Sequence, residues 1–257
     1  MGWKICRSHP QSHSAVKNSP RDPQLIKRMA SDSQLAESAR NFFLRSWEFR
    51  YSYNFTWLGR PVIQYPQDLM ALQEIIWDVK PDAIVETGVA HGGGTLFLAS
   101  MLELLGGDGF VVAVEVDLRA ENRAVLEAHP LARRIRLIDG SSVDESTAAK
   151  VFAATRDRKR LMVALDANHT HDHVLRELEL YSPLVRQGSY IVVFDTIVGY
   201  MPSDAFADRP WGPDDNPLTA VREFLARNPR FEVDEQLENT LLITVAPGGY
   251  LRCIKDL

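Results

Sequence analysis

One stretch constrains this chain more than any other: Ala83-Ile84-Val85-Glu86-Thr87-Gly88-Val89-Ala90-His91-Gly92-Gly93-Gly94-Thr95. Ala83 to Val85 is a short, uncharged, largely β-branched run, the kind that makes a parallel strand covered on both faces. Gly88 permits a sharp backbone turn. Gly92, Gly93 and Gly94 remove side chains where a ligand would approach the backbone. Thr95 opens a helical pattern that runs through Leu105 and stops at Gly106-Gly107. Strand, glycine turn and helix N-terminus together form a cradle of the nucleotide-binding type.

The details choose among such cradles. No Gly-Lys-Ser/Thr follows, so this is not a phosphate-binding P-loop. The dinucleotide pattern G-x-G-x-x-G is also missing; the spacing is Glu86-x-Gly88-x-x-x-Gly92. This acid-first pattern resembles motif I of the class I S-adenosylmethionine (SAM) methyltransferases. An acid at the strand end can attract a sulfonium or an amino group and would repel a pyrophosphate. Glu86, Gly88, His91 and Gly92 are therefore candidate cofactor contacts.

Composition narrows the class. The 257 residues suffice for one large α/β domain with extensions. The net charge of −5, with mixed signs and no basic run, disfavours nucleic acid as a partner. Cys6 and Cys253 sit near opposite termini, which fits a reducing cytoplasm better than a disulfide framework. No apolar run reaches membrane-spanning length.

Residues 1–24 read as a flexible polar tail and 25–80 as a helical, aromatic cap. Helical spacing covers 33–50. The following run, Tyr51-Ser52-Tyr53-Asn54-Phe55-Thr56-Trp57-Leu58-Gly59-Arg60-Pro61-Val62-Ile63-Gln64-Tyr65-Pro66, is either a pocket wall or an aromatic plug. Pro66 starts a helix to Val79. In the core, residues 81–257, strands follow at Phe110–Asp117, Ile135–Ser142, Leu161–Asp166 and Tyr190–Asp195, alternating with helices. Glu115, or else Asp117, is placed to accept ribose hydroxyls. Gly140 and Ser142, at the end of the third strand, are candidates for the adenine edge, with a helix cap as the alternative for Ser142. Asp166 and Asp195 end two strands expected to be neighbours, so they should converge on one crevice. Residues 199–217 form a long loop of lid type. Phe231–Val233 and Thr240–Ala246 read as two closing strands.

Several of these runs together resemble a family: Tyr51-Ser52-Tyr53-Asn54-Phe55-x-Trp57-Leu58-Gly59-Arg60-Pro61, Val85-Glu86-Thr87-Gly88-x-Ala90-His91-Gly92-Gly93, Leu165-Asp166-x-Asn168-His169-Thr170-His171, and Leu241-Leu242-Ile243-Thr244-Val245-Ala246-Pro247. They are similar to the CmcI-type "cephalosporin hydroxylase" family, whose members include the methyltransferase component of cephamycin biosynthesis and rhamnosyl O-methyltransferases. The resemblance implies a class I SAM-methyltransferase fold. That is a mostly parallel, seven-stranded, doubly wound sheet with an antiparallel edge strand and an N-terminal helical extension. It implies SAM as cofactor, and Mg²⁺ held by Asp166 and Asp195. Asp166 lies at the cofactor as well. His169 matches a histidine proposed as general base. Relatives often place another acid or Asn beside the second aspartate; here the neighbours are Phe194 and Thr196, and Thr196 is the candidate for an additional oxygen.

The expected function is methyl transfer to a sugar hydroxyl of a glycosylated natural product or saccharide, as in antibiotic biosynthesis. Two carboxylates could hold Mg²⁺ through oxygen, the cation would favour the alkoxide, and His169 has a suitable pKa to take the proton. His171 and His173 could join His169 in a transition-metal site, but alternate positions at a helix start do not aim at one point. Two other functions stay open: an NAD-dependent oxidoreductase, and a SAM-binding accessory protein without turnover. The acceptor is a small molecule or glycoside, and homo-oligomerisation is left open.

Overall fold

A computed structural model describes residues 21–257. Most of the expected tail lies outside them. Its last residues are not tail: Asp22 caps helix α1 (Pro23–Ala30) by accepting from the Gln24 amide at 2.9 Å. Helix α2 (Ser33–Trp47) follows, capped in the same way by Asp32. The aromatic run then makes a small antiparallel hairpin, β1 (Thr56–Trp57) and β2 (Arg60–Pro61), before α3 (Pro66–Val79).

The core alternates as its apolar runs dictate: β3 (Ala83–Thr87), α4 (Gly93–Leu105), β4 (Phe110–Glu115), α5 (Ala120–Ala128), β5 (Ile135–Asp139), α6 (Glu145–Thr155), β6 (Leu161–Leu165), α7 (His171–Tyr181) and β7 (Tyr190–Val193). After the long loop come α8 (Pro217–Arg227), β8 (Phe231–Val233), α9 (Glu235–Leu241) and β9 (Tyr250–Cys253). The strands form a seven-stranded sheet in the order β5-β4-β3-β6-β7-β9-β8. The first five are parallel, and β9 pairs antiparallel with both β7 and β8. This is the class I methyltransferase architecture: β9 runs against the other strands of the sheet, as expected, and β8, antiparallel to β9, runs with the first five at the edge.

Alternation along the buried strands splits the core into two layers. Ile84, Val111 and Met162 face α3 and α4, while Val85, Val112 and Val163 face α6, α7 and α8. The expected strand over Thr240–Ala246 is instead the end of α9 and an irregular segment. Asp234 caps α9, accepting from the Leu237 amide at 3.0 Å, and Leu242 takes a left-handed φ of 58° that breaks the chain direction. The buried Asp68 of α3 then holds the segment, accepting from the Val245 amide at 3.1 Å and from the Thr244 hydroxyl. Strand pairing passes to Tyr250–Cys253. The Tyr250 hydroxyl also donates to Asp68, at 2.6 Å. β4 lies on one side of β3 and β6 on the other, so the chain reverses its winding there, and the crevice opens at the carboxyl ends of β3 and β6.

Candidate active site

A cavity of about 700 Å³ sits at that crevice. Its floor carries Glu86, Asp166 and Asp195. One wall is the turn from Gly88 to His91, another the cap residues Pro61 to Gln64, and a third the long loop with Phe206, Arg209 and Trp211. The aromatic run therefore lines a pocket, as expected on one of its two readings. It also forms the plug: Tyr51 packs on Phe42, Phe55 and Tyr65.

Asp166 follows β6 directly, where the Gln64 side chain donates to its Oδ2 at 3.0 Å. Asn168 accepts from the amide and hydroxyl of Thr170, at 2.9 and 2.8 Å, and this turn carries His169 over the cavity. Asp195, one residue past Phe194, has a left-handed φ of 55°, a conformation that turns its carboxylate away from the strand direction. His169 Nε2 then lies 3.1 Å from Asp195 Oδ2. Asp166, His169 and Asp195 each offer a donor atom, all within 4.8 Å of one another. Burial, then the neighbouring Asp195 and Glu86, hold the Asp166 carboxyl well above its ordinary range. Trp211 meets the His169 ring edge-on, with centroids 4.8 Å apart.

Glu86 is buried and accepts from the Thr95 hydroxyl at the start of α4. Burial pushes its pKa up to about 8, against the lowering effect of that hydrogen bond. Gly88 is required by contact. It has φ 86°, and a Cβ there would lie 2.1 Å from the Asp166 carbonyl oxygen. The next glycines make room for protein as well, and Gly93 and Gly94 line the cavity. A Cβ on Gly93 would lie 2.1 Å from the Pro61 carbonyl oxygen, Gly92 faces Leu126, and Gly94 faces Glu86.

Other candidates stand away from this cavity. Glu115 already accepts four backbone N–H groups: those of Val89 and Ala90 at 2.9 and 3.1 Å, and of Val116 and Asp117 at 2.9 and 3.4 Å. It shapes the turn, and Asp117 is exposed beyond it. Ser142 is buried; its hydroxyl meets His173 Nε2 at 3.1 Å and its carbonyl accepts from Tyr181 at 2.6 Å. Gly140 faces Thr147 of α6. Thr196 is fully buried and donates to the Pro247 carbonyl at 2.8 Å, so the third group beside Asp166 and Asp195 is His169 rather than Thr196. His171 pairs with Thr219 at 2.8 Å and Glu223 at 3.0 Å, and His173 with Ser142, so the three histidines point to different partners.

Sequence reasoning named neither Asn122 nor Trp211 as site residues, and took Arg60 and Gln64 only as members of the polar–aromatic run. Arg60 Nε donates to the His91 carbonyl at 2.9 Å, and its Nη2 to Asn122 Oδ1 at 2.6 Å. For Arg60 and Gln64 the signal was a polar residue within an aromatic run; Asn122, between Glu121 and Arg123, gave none.

Comparison with known proteins places the chain in a family. The family model "Rhamnosyl O-methyltransferase/CmcI" matches residues 49–254. The rhamnosyl O-methyltransferase of Mycobacterium tuberculosis is 27% identical over 202 residues, covering 76% of this chain and 77% of that protein. The enzyme of the same name from Mycobacterium leprae is 27% identical over 201 residues, covering 76% and 82%. Among solved structures, CmcI with Mg and SAM superposes with a TM-score of 0.55 at 19% identity, covering 79% of this chain and 77% of that one. At such identity the likeness shows the fold. With the family model matching most of its length, the chain belongs to the rhamnosyl O-methyltransferase/CmcI family of SAM-dependent O-methyltransferases.

Proposed function

We propose that this protein transfers a methyl group from SAM to a sugar hydroxyl of a glycosylated metabolite or saccharide. The observation that carries this reading is the convergence of Asp166, His169 and Asp195 on the cavity bordered by Glu86 and the turn from Gly88 to His91. The rhamnosyl activity named for the mycobacterial relatives supports a sugar as acceptor.

The residues fit the cofactor at its charged end. Glu86 presents a buried carboxyl to a cationic ligand, and the turn leaves no side chain at Gly88. Bound SAM supplies a methyl group on a sulfonium, so the protein has to bind, orient and accept one proton. Glu115 is the proposed ribose acid: Oε2 keeps the Val89 and Ala90 amides while Oε1, held by the Val116 amide at 2.9 Å and only weakly by the Asp117 amide at 3.4 Å, accepts the ribose hydroxyls.

His169 is the proposed base. With Nε2 beside Asp195 Oδ2 at 3.1 Å, Nδ1 is the ring nitrogen proposed to take the hydroxyl proton, and the Asp195 charge steadies the imidazolium that forms. Trp211 covers the ring on one side and limits its rotation. The donor set also suits a divalent cation. Asp166 and Asp195 would hold Mg²⁺, which prefers oxygen ligands, and the ion would lower the pKa of a bound hydroxyl. Gln64 orients Asp166 through one oxygen.

The test is SAM-dependent transfer to a panel of rhamnosides and other glycosides, followed by product mass and S-adenosylhomocysteine release. SAM binding without transfer to any acceptor would favour the accessory-protein reading. Binding of NAD in place of SAM would favour the oxidoreductase.

A further inference from the structure

The turn Val89 to His91 is gripped from two sides. On its amide side, Glu115 Oε2 accepts from Val89 and Ala90 at 2.9 and 3.1 Å. On its carbonyl side, Arg60 Nε donates to His91 at 2.9 Å and Asn122 Nδ2 donates to Ala90 at 2.8 Å. Arg60 Nη2 also donates to Asn122 Oδ1 at 2.6 Å, which ties the two carbonyl grips together. Ala90 sits at φ 47°, a left-handed conformation that an alanine holds only when its surroundings impose it.

Arg60 belongs to the cap hairpin, far from this turn in sequence. The hairpin has its own seat on α4, independent of Arg60. Trp57 Nε1 donates to Ser100 Oγ at 3.0 Å, and the bare Gly93 lets the Pro61 carbonyl lie against the helix start. Removing the guanidinium should therefore loosen the turn while the hairpin stays folded.

We infer that Arg60 is a positioning residue for SAM: through Asn122 and the His91 carbonyl it holds the cofactor turn, so SAM binding and docking of the cap hairpin form one coupled event. This rests on the SAM reading above. Coupling of binding free energies is reciprocal, so SAM should in turn tighten the hairpin.

Isothermal titration of the full chain with SAM tests the first half. Arg60→Met should weaken SAM by about tenfold or more, the equivalent of one charge-assisted hydrogen bond. Arg60→Lys, which retains a cationic donor without the fork, should recover part of the affinity. Amide hydrogen exchange tests the second half. SAM should slow exchange across residues 56–62 in the natural chain. That slowing should vanish in Arg60→Met, while the slowing that SAM causes along α4 persists. If Arg60→Met fails to fold, Asn122→Ala keeps the bond from Arg60 to His91 and should still weaken SAM several-fold. Unchanged SAM affinity in a folded variant, or hairpin protection that survives loss of the guanidinium, overturns the coupling. A natural chain that does not bind SAM at all overturns the SAM reading itself, a result distinct from loss confined to the variants.

Discussion

His169 Nε2 lies 3.1 Å from Asp195 Oδ2, although the two residues come from separate strand ends. The Asn168 turn after β6 delivers the imidazole, and the left-handed backbone at Asp195 after β7 delivers the carboxylate. A strained, non-glycine residue at a strand end needs support, here from the Thr196 hydroxyl bonded to Pro247. The Thr196 role is thus to fix the backbone beside the acid.

That pairing makes His169 testable as a base. His169→Ala should lower single-turnover methyl transfer at saturating SAM by about 10²–10⁴-fold, with SAM affinity unchanged. Asp195→Asn should also slow transfer, because it removes the negative charge 3.1 Å from Nε2 that favours the protonated imidazole. A His169→Ala protein that keeps most of the natural rate would return this residue to a structural role.

Glu86 predicts a pH dependence of cofactor binding. Its carboxyl titrates at about 8, so near neutrality the cofactor-free protein holds the proton there. A cationic ligand favours the ionised form, so SAM should bind more tightly as pH rises through about 8, and binding at pH 7 should release a proton. Titration calorimetry in buffers of different ionisation enthalpy counts that proton. Glu86→Gln should remove the Glu86 share of both the release and the pH slope. Equal proton release in the natural and Glu86→Gln proteins would sink the assignment.

Much of this site was legible in the residues. The run Ala83 to Val85 with Glu86 and Gly88 announced a strand and a cofactor turn, because burial on both faces permits only such a run. Asp166 and Asp195 were placed together by topology alone, since neighbouring parallel strands end side by side. What sequence could not show was partnership across long separations. Arg60 meets His91 and Asn122, and Gln64 meets Asp166, through the way the cap folds over the core. The closing strand was misplaced for a similar reason. Leu241-Leu242-Ile243-Thr244-Val245 carries strand-like residues, but Asp68 claims Thr244 and Val245, and Tyr250–Cys253 takes the sheet position.

Asp68 makes its own prediction about stability. It is fully buried, and burial raises its pKa from 3.8 to about 6 in the folded protein. Between those values the folded state binds more protons than the unfolded one. The stability that this group contributes is therefore complete below pH 3.8 and is lost as pH rises through about 6, an effect on the order of 3 kcal/mol. Asp68→Asn should abolish this part of the slope. It should also weaken the fold at pH 7, by about 1–3 kcal/mol for each donor among Thr244, Val245 and Tyr250 left unpaired. Urea unfolding of both proteins between pH 4 and 7 checks it. Parallel pH profiles would show that Asp68 does not titrate in this range.

The last prediction concerns the divalent ion. Asp166 and Asp195 share one crevice with Glu86 close by; burial first, then these neighbouring acids, raise the Asp166 carboxyl well above its ordinary range. Carboxylates gathered in this way are relieved by a proton or by a cation. Mg²⁺ needs few protein ligands when water and substrate hydroxyls complete its octahedron, so two carboxylates are enough to hold it, though weakly. Phe194 supplies no further oxygen, and the Thr196 hydroxyl is committed to Pro247. Activity should therefore rise with added Mg²⁺ in the millimolar range and fall with chelator. In Asp166→Asn most of it should be lost, and added Mg²⁺ should not restore it. His169→Ala should keep its magnesium affinity if the ion rests on oxygen alone, and lose it if the imidazole is a ligand, so titration of that variant separates base from ligand. Full activity after exhaustive chelation, with no divalent ion found by elemental analysis, would leave Asp166 and Asp195 as carboxylates that bind substrate and orient His169.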